Sequence, residues 1–332
     1  MRRVNNLYPA VIAFDNLYAA YRRALKGNEG KKPGLKFFFH AETEIIRLHR
    51  ELSDGSYVPG AYHYFKCFEP KERIIAVAPF RDRVVHHAIV GILNPIYERI
   101  FITDSFATRK NKGVHKAIER ARYFIRNNAW YLKSDVQKYF NSVDHEVLLK
   151  LFARKIKDVK LLDLLEKITV NGGSDGRGIP IGNQTSQFFS NIYLDQLDHF
   201  IKEKKKMRGY IRYMDDFVVF SNDKDELLRL RQEIPAFLEE NLKLQLKEKA
   251  TYMNSRSNGL SFLGRRIFPS LIRIQSENLK RCLKTIERRR HEYAAGLIDE
   301  KRLIQSQASC IANLKLWQTY HLRKKIYAGQ IS

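Results

Sequence analysis

The chain is short of cysteine, of acidic side chains and of long apolar runs, and each shortage excludes something. Its three cysteines, Cys67, Cys282 and Cys310, are odd in number and lack metal-ligand spacing. Disulfides and structural zinc are therefore not expected, and a reducing, cytoplasmic setting is. No apolar stretch reaches the roughly 20 residues of a membrane-spanning helix. Met1-Arg2-Arg3 leads into ordinary mixed sequence, so neither a membrane nor a signal peptide is expected. Internal repeats and low-complexity linkers are missing as well. Asp and Glu number 36 against 60 Lys and Arg, a formal charge of +24. That excess runs along the whole chain and predicts a polyanionic partner, with nucleic acid foremost. What is present is core-forming: 44% of the 332 residues are hydrophobic and 12% aromatic. This suffices for one large domain or two to three smaller ones.

The stretch that organises the chain is Arg212-Tyr213-Met214-Asp215-Asp216-Phe217-Val218-Val219-Phe220. Strand formers on both sides predict a hairpin with Asp215 and Asp216 at its tip. In an arbitrary sequence Asp-Asp is more often a polar turn. A buried pair of like charges persists where a divalent cation neutralises it, and an all-oxygen donor set suits magnesium.

Elsewhere, helices are expected over 5–26 and 40–52, with a breaker cluster Gly27–Gly34 between them. A hairpin over 61–78 turns at Glu69-Pro70-Lys71-Glu72 and carries Lys71 and Arg73. Asp82 is placed to cap a helix running to about Arg99, with Val85, Ile89, Ile92 and Ile96 on one face. A basic loop from Ser105 to His115 holds Arg109 and Lys112, and a helix follows to about Asn127. The strand 130–135 ends on Asp135, and Asp144 caps the next helix. A glycine-rich connection from Asn171 to Gly182 leads into a helix starting near Ser186. A helix from Asp223 to about Asn241 is expected to break or bend at Pro235. Leu260–Gly264 begins a β element, and from Ser276 the chain reads as helical and basic. Strands and helices mix without a βαβ rhythm, which predicts an α+β fold with an antiparallel central sheet and a helical C-terminal domain.

A strand ending in Asp135 and a hairpin carrying Asp215 and Asp216 would bring together three carboxylates. Two-metal phosphoryl transfer uses such a set, with two ions about 4 Å apart acting on attacking and leaving oxygens. Lys71 and Arg73 could meet a triphosphate, or could be solvated surface charge. Lys280, Lys284 and Arg288 recur on a helix whose apolar side holds Leu279, Leu283 and Ile286. Charge runs are usually solvated faces; with +24 overall, a grip on duplex phosphates is the stronger reading.

These motifs resemble reverse transcriptases. Tyr213-Met214-Asp215-Asp216 is similar to their catalytic hairpin. Asp135-Val136-Gln137-Lys138-Tyr139-Phe140 is similar to their first carboxylate motif. Asp82-Arg83-Val84-Val85 and Ser105…Arg109…Gly113…His115 are similar to the finger region, and Phe262-Leu263-Gly264 to the primer-grip entry. The matches keep the family's order over about residues 60–270. Ile181-Gly182-Asn183-Gln184-Thr185-Ser186-Gln187 replaces the usual Gln-Gly-x-x-x-Ser-Pro and resembles the diversity-generating retroelement branch.

The resemblance implies a right-hand polymerase: an N-terminal extension (1–60), fingers (61–128), an antiparallel-sheet palm (129–270) and a short helical thumb (271–332). It implies RNA-templated DNA synthesis with two Mg2+ ions, Mn2+ being able to substitute. Asp135 and Asp215 would hold both ions with help from the Val136 carbonyl, and Asp216 would lie nearby in looser contact. Phe140 would exclude ribonucleotides, or be plain core. Ile181 cannot make the hydrogen bonds of the usual Gln, which implies weaker checking of the nascent pair, chiefly opposite template adenines. Gln187 would hold nucleotide or template, or simply start a helix. Arg109 and Lys112 would meet nucleic acid. Template RNA, primer, cDNA, dNTPs and a small accessory protein are the implied partners, in a bacterial or phage-infected host cell. Retron-like or antiviral reverse transcriptases share the chemistry, and a non-catalytic nucleic-acid-binding protein would share the charge.

Overall fold

The computed structural model describes residues 3–26, 37–68, 72–315 and 319–327. Among them nine strands form three antiparallel sheets. The ribbon β1 (His63–Cys67) and β2 (Arg73–Val77) stands alone. The central sheet has the order β4-β5-β3-β6, from β3 (Trp130–Asp135), β4 (Gly209–Tyr213), β5 (Asp216–Ser221) and β6 (Tyr252–Ser255). A small sheet joins β7 (Leu260–Phe262), β8 (Arg265–Ile267) and β9 (Ile272–Ile274).

Side chains alternate across a strand, and the register fixes which of them share a face. Tyr131, Lys133 and Asp135 lie opposite Phe220, Val218 and Asp216, with Ile211 and Tyr213 of β4 beside them. The apolar members of this face pack on Ala117, Ala121, Phe124 and Ile125 of the helix Val114–Asn127. Leu132, Tyr210, Phe217 and Val219 point to the other face. They join the largest core with Phe189, Ile192 and Tyr193 of the helix Gln184–His199 and Leu230 and Ile234 of the helix Lys224–Leu242. Because both faces are covered, β5 is buried from Phe217 to Ser221, which explains its unbroken apolar run. Only the end of the first face that carries the carboxylates stays half-open.

The N-terminal segment is part of this body. The backbone N–H groups of Leu7 and Tyr8 both donate to Asp158 Oδ2 at 2.8 Å, while Asp158 Oδ1 caps the helix Val159–Asn171. The helix Phe14–Leu25 lies along the helix Phe80–Tyr97, with Leu17, Ala20, Tyr21 and Ala24 buried. At the C-terminal end, Ile286 of the helix Ser276–Ala294 and Leu314 of the helix Glu300–Lys315 close a separate small core.

Several expectations change. The first helical span is two helices, Tyr8–Ile12 and Phe14–Leu25, parted at the extended Ala13. Asp82 caps nothing: it is buried and accepts from Tyr57 Oη and the Gly60 N–H, each at 2.8 Å, while Pro79 precedes the helix. Pro235 sits inside a helix that runs on through it. The helix Val159–Asn171, the strand β6 and the π-turn Phe200–Lys204 had no expectation at all. Gly27–Gly34, Lys71 and the turn residues Glu69 and Pro70 lie outside the described residues.

His199 ends the helix Gln184–His199 between two acids, with Nε2 3.3 Å from Asp195 and Nδ1 2.7 Å from Glu203. The hydrogen bond to Asp195 leads in pushing its imidazolium up to about 9, above the ordinary 6.5. A folded-state value above the unfolded one stabilises the fold fully below about pH 6.5 and ceases to as pH rises through about 9. His199→Gln should therefore lower thermal stability at pH 6, by roughly 1 kcal/mol after solvent screening. The gap from wild type should close by pH 9 to 10. A pH-independent gap in melting curves would refute the charge assignment.

Candidate active site

The centre is built by register. In β3–β5 pairing Asp135 faces Asp216, and in β4–β5 pairing Tyr213 faces Asp216, leaving Met214 and Asp215 as a two-residue turn. The tip is thus Met214-Asp215, and Asp216 is the first residue of a strand. Met214 carries a φ of 55°, a left-handed conformation uncommon for a side chain without a local hydrogen-bonding group.

That turn is held from beneath. Arg212 points to the opposite face from Tyr213 and is fully buried. Its Nη1 donates to the Met214 carbonyl at 3.1 Å and to Asn191 Oδ1 at 3.2 Å. Nε and Nη2 grip the two oxygens of Asp198 at 2.7 and 2.6 Å, and Tyr210 Oη donates to Asp198 Oδ1 at 2.7 Å. Asp198 is also fully buried, so this is a desolvated, bidentate ion pair whose remaining donor reaches the turn. It joins the hairpin to the helix Gln184–His199. The backbone of Arg212 is committed too: its N–H donates to the Asp104 carbonyl at 2.9 Å, and its carbonyl accepts from the Phe106 N–H at 3.0 Å.

On the open face, burial pushes the Asp215 carboxyl well above the usual carboxylate range, and the nearby Asp135 carboxylate, by charge and by hydrogen bonding, pushes the same way. Burial also raises Asp216, to about 6, although Lys133 works against it. Lys133 Nζ donates to Asp216 Oδ1 at 2.7 Å. Asp216 is thereby engaged, and among the described residues no three acids, histidines or cysteines converge as a complete metal-ligand group.

That leaves Asp135 and its neighbour across the turn, Asp215, as the pair open to an ion. Beside them, Val136 donates its N–H to the Asp215 carbonyl at 3.4 Å, and the bonds flanking the Val136–Leu246 bridge come from Gln137 and Lys247. The Val136 carbonyl therefore turns toward Asp215 rather than toward Leu246. Two neighbouring carboxylates, one with disfavoured ionisation, and an adjacent carbonyl form an all-oxygen donor set that fits a divalent ion.

The remaining expected residues divide into those brought near and those not. The Phe140 carbonyl accepts from the Ile179 N–H at 2.8 Å, and two residues on, the Ile181 carbonyl accepts from the Ala76 N–H of β2 at 2.8 Å. Phe140 and Ile181 are both half-buried, joined through one short segment. Gly182, at φ 118°, packs so closely that a Cβ there would sit 2.9 Å from Ile75 Cγ2 and 3.0 Å from the Ala76 carbonyl. Gln187 lies half-buried in the first turn of the helix Gln184–His199, and Arg73 opens β2, exposed.

Arg109, expected to meet nucleic acid, is instead turned into its own loop. Its side chain is 5% exposed, forked onto Glu98, and donates to the Ile102 and Ser105 carbonyls. Lys112 likewise turns inward, donating to the Thr103 carbonyl at 2.6 Å over the Phe106 ring. Both charges clamp their own loop, whose carbonyls have no regular ladder to pair with. Lys280, Lys284 and Arg288 are exposed along the helix Ser276–Ala294, far in sequence from the carboxylates. Sequence reasoning missed Lys133, Asn191, Asp198 and the anchoring role of Arg212. The signal available for Arg212 was a charge at a core-facing position of an otherwise apolar strand.

An antiparallel sheet with facing carboxylates at its open end, backed by helices, is the palm of a right-hand polymerase. The chain belongs to the reverse transcriptase (RNA-dependent DNA polymerase) family, whose profile matches residues 68–267, and is an RNA-directed DNA polymerase by class. The family normally uses divalent metal ions. Protein YkfC of Escherichia coli (strain K12) is 27% identical over 317 residues, covering 80% of this chain and 83% of that protein. The group II intron-encoded protein LtrA of Lactococcus lactis subsp. cremoris is 23% identical, over 76% of this chain. The chain spans 54% of the length of LtrA. Apo telomerase from Candida tropicalis aligns at a TM-score of 0.49 and 12% identity, over 69% of this chain and 52% of that one.

Removing one member of a buried ion pair leaves the other uncompensated, so Arg212→Met should cost about 3–5 kcal/mol. Replacing Arg212, Asp198 and Tyr210 together by Met, Leu and Phe should recover at least half of that. Urea unfolding of the two variants measures both, and equal losses would contradict the account.

Proposed function

We propose that this chain copies an RNA template into cDNA by nucleotidyl transfer at Asp135 and Asp215, as an error-prone enzyme of the diversity-generating retroelement type. The observation that carries the catalytic half is the facing of Asp135 with the Asp215-Asp216 hairpin across β3 and β5. Asp135, Asp215 and the Val136 carbonyl are the groups that would hold divalent ions, Mg2+ by preference for hard oxygen donors, with Mn2+ able to substitute. Bound ions supply acidification of the primer 3′-hydroxyl and neutralisation of the departing pyrophosphate. Asp216, tied to Lys133, contributes charge from the side.

The protein's own side chains do the selecting. Phe140 would meet the sugar and exclude a 2′-hydroxyl. Arg73 would meet the triphosphate from β2; Lys71, its companion in that role, lies outside the described residues. Lys280, Lys284 and Arg288 would grip phosphates of the hybrid, whose A-form shape is read without sequence. In this reading residues 61–128 are fingers, 129–270 palm and 271–332 thumb, and 1–60 an N-terminal extension. The partners are template RNA, primer, dNTPs and a small accessory protein, in the cytoplasm of a bacterial or phage-infected host cell.

The mutagenic half rests on Ile181 and Gln187. Where a glutamine amide could hydrogen-bond around the nascent pair, Ile181 offers only methyl groups, and a lost polar contact removes discrimination. A second reading, a group II intron-type reverse transcriptase, is favoured by the similarity to LtrA over 76% of the chain.

Primer extension on an RNA template tests both halves. Asp215→Asn should reduce incorporation by at least a hundredfold, and unchanged incorporation would remove the catalytic assignment. Sequenced cDNA from wild type should carry errors concentrated opposite adenine, and Ile181→Gln should lower them several-fold. An accurate wild-type product would favour the intron-type reading.

A further inference from the structure

Lys133 is a charged side chain at the centre that the proposed chemistry does not use. It precedes Asp135 by two residues on β3 and so shares its face, while Asp216 lies directly opposite Asp135. Residues opposite in an antiparallel pair have Cβ atoms about 5 Å apart, and a long side chain reaches the diagonal neighbour as well. Asp216 thus has two candidates for its carboxylate: the space it would share with Asp135 and Asp215, and the ammonium of Lys133. It takes the ammonium, at 2.7 Å, with the Lys133 side chain 12% exposed and that of Asp216 22%. Lys133 has little freedom to leave, since it is flanked by Val218 of β5 on one side and Tyr252 of β6 on the other.

We infer that Lys133 is a positioning residue that holds Asp216 out of the divalent-ion site, so that the site presents two carboxylates instead of three. This rests on the reading of Asp135 and Asp215 as the metal-holding pair. The number of anionic ligands sets how tightly a hard cation is held. A polymerase that must accept and release ions with every nucleotide and pyrophosphate is served by the weaker set. Lys133 enforces it mechanically, by occupying the third acid.

The test is Mn2+ binding to the full chain, followed by the electron paramagnetic resonance signal of the free ion. The Asp135→Asn variant identifies the component that belongs to this site. Lys133→Met should tighten that component by about tenfold. In the Asp216→Asn background the same change should have under a threefold effect, because no acid is left to release. Lys133→Arg should restore wild-type affinity. The Mg2+ concentration for half-maximal primer extension should fall with Lys133→Met by a similar factor.

Unchanged or weakened Mn2+ binding in Lys133→Met overturns the inference. So does equal tightening in both backgrounds, which would mean that Lys133 acts only as a repelling charge. If wild type has no Asp135-dependent Mn2+ component, the underlying reading of the site fails instead.

Discussion

The structure depends on one electrostatic conflict, the facing of Asp135 and the Asp215-Asp216 hairpin across two paired strands. Antiparallel register fixes the backbones that carry these carboxylates side by side, and burial removes the water that would screen them. The surroundings read as answers to that conflict. Lys133 takes Asp216 on the open face. On the closed face, Arg212 ties down the Met214 carbonyl, so the turn cannot relax away from its left-handed conformation. Arg212 is itself a buried charge and needs Asp198, which in turn is met by Tyr210. Each buried charge is matched by the next until the chain of partners ends in the core of the helix Gln184–His199.

This arrangement makes one helix the common support of two separate segments. Its first turn carries Gln187, close after Ile181 and Gly182, and its last turn carries Asp198. The segment that carries Ile181 and the hairpin that carries Asp215 are thereby tied to one rigid helix. The basic loop before the helix Val114–Asn127 adds to the same frame: Asp104 and Phe106 pair with the backbone of Arg212, and Arg109 and Lys112 brace the loop from within.

Much of the site was legible because it is written in period two and in order. Trp130 to Asp135 and Arg212 to Phe220 alternate or run apolar as sheet strands do, and a register that buries them leaves few ways to place the acids. The helix Gln184–His199 was legible from its apolar face. What stayed hidden depends on partners distant in sequence. Arg109 and Lys112 look like nucleic-acid contacts until the carbonyls of their own loop claim them. Asp82 has the position of a helix cap, yet Tyr57 and Gly60 make it a buried acceptor. Lys133 gives no sign of its partner, because Asp216 lies 83 residues away. Local pattern reveals which face a side chain occupies; it does not reveal which of several charges it will meet there.

The attachment of Ile181 has an evolutionary consequence. Its link to β2 is made by its backbone carbonyl, and the tight approach beside it is made by Gly182, whose lack of a side chain is what matters. The side chain at 181 contributes to neither. Mutation can therefore rewrite it without removing the hydrogen bond to β2 or the close approach of Gly182. A position attached in this way can vary in sequence while the backbone that carries it stays tied to β2.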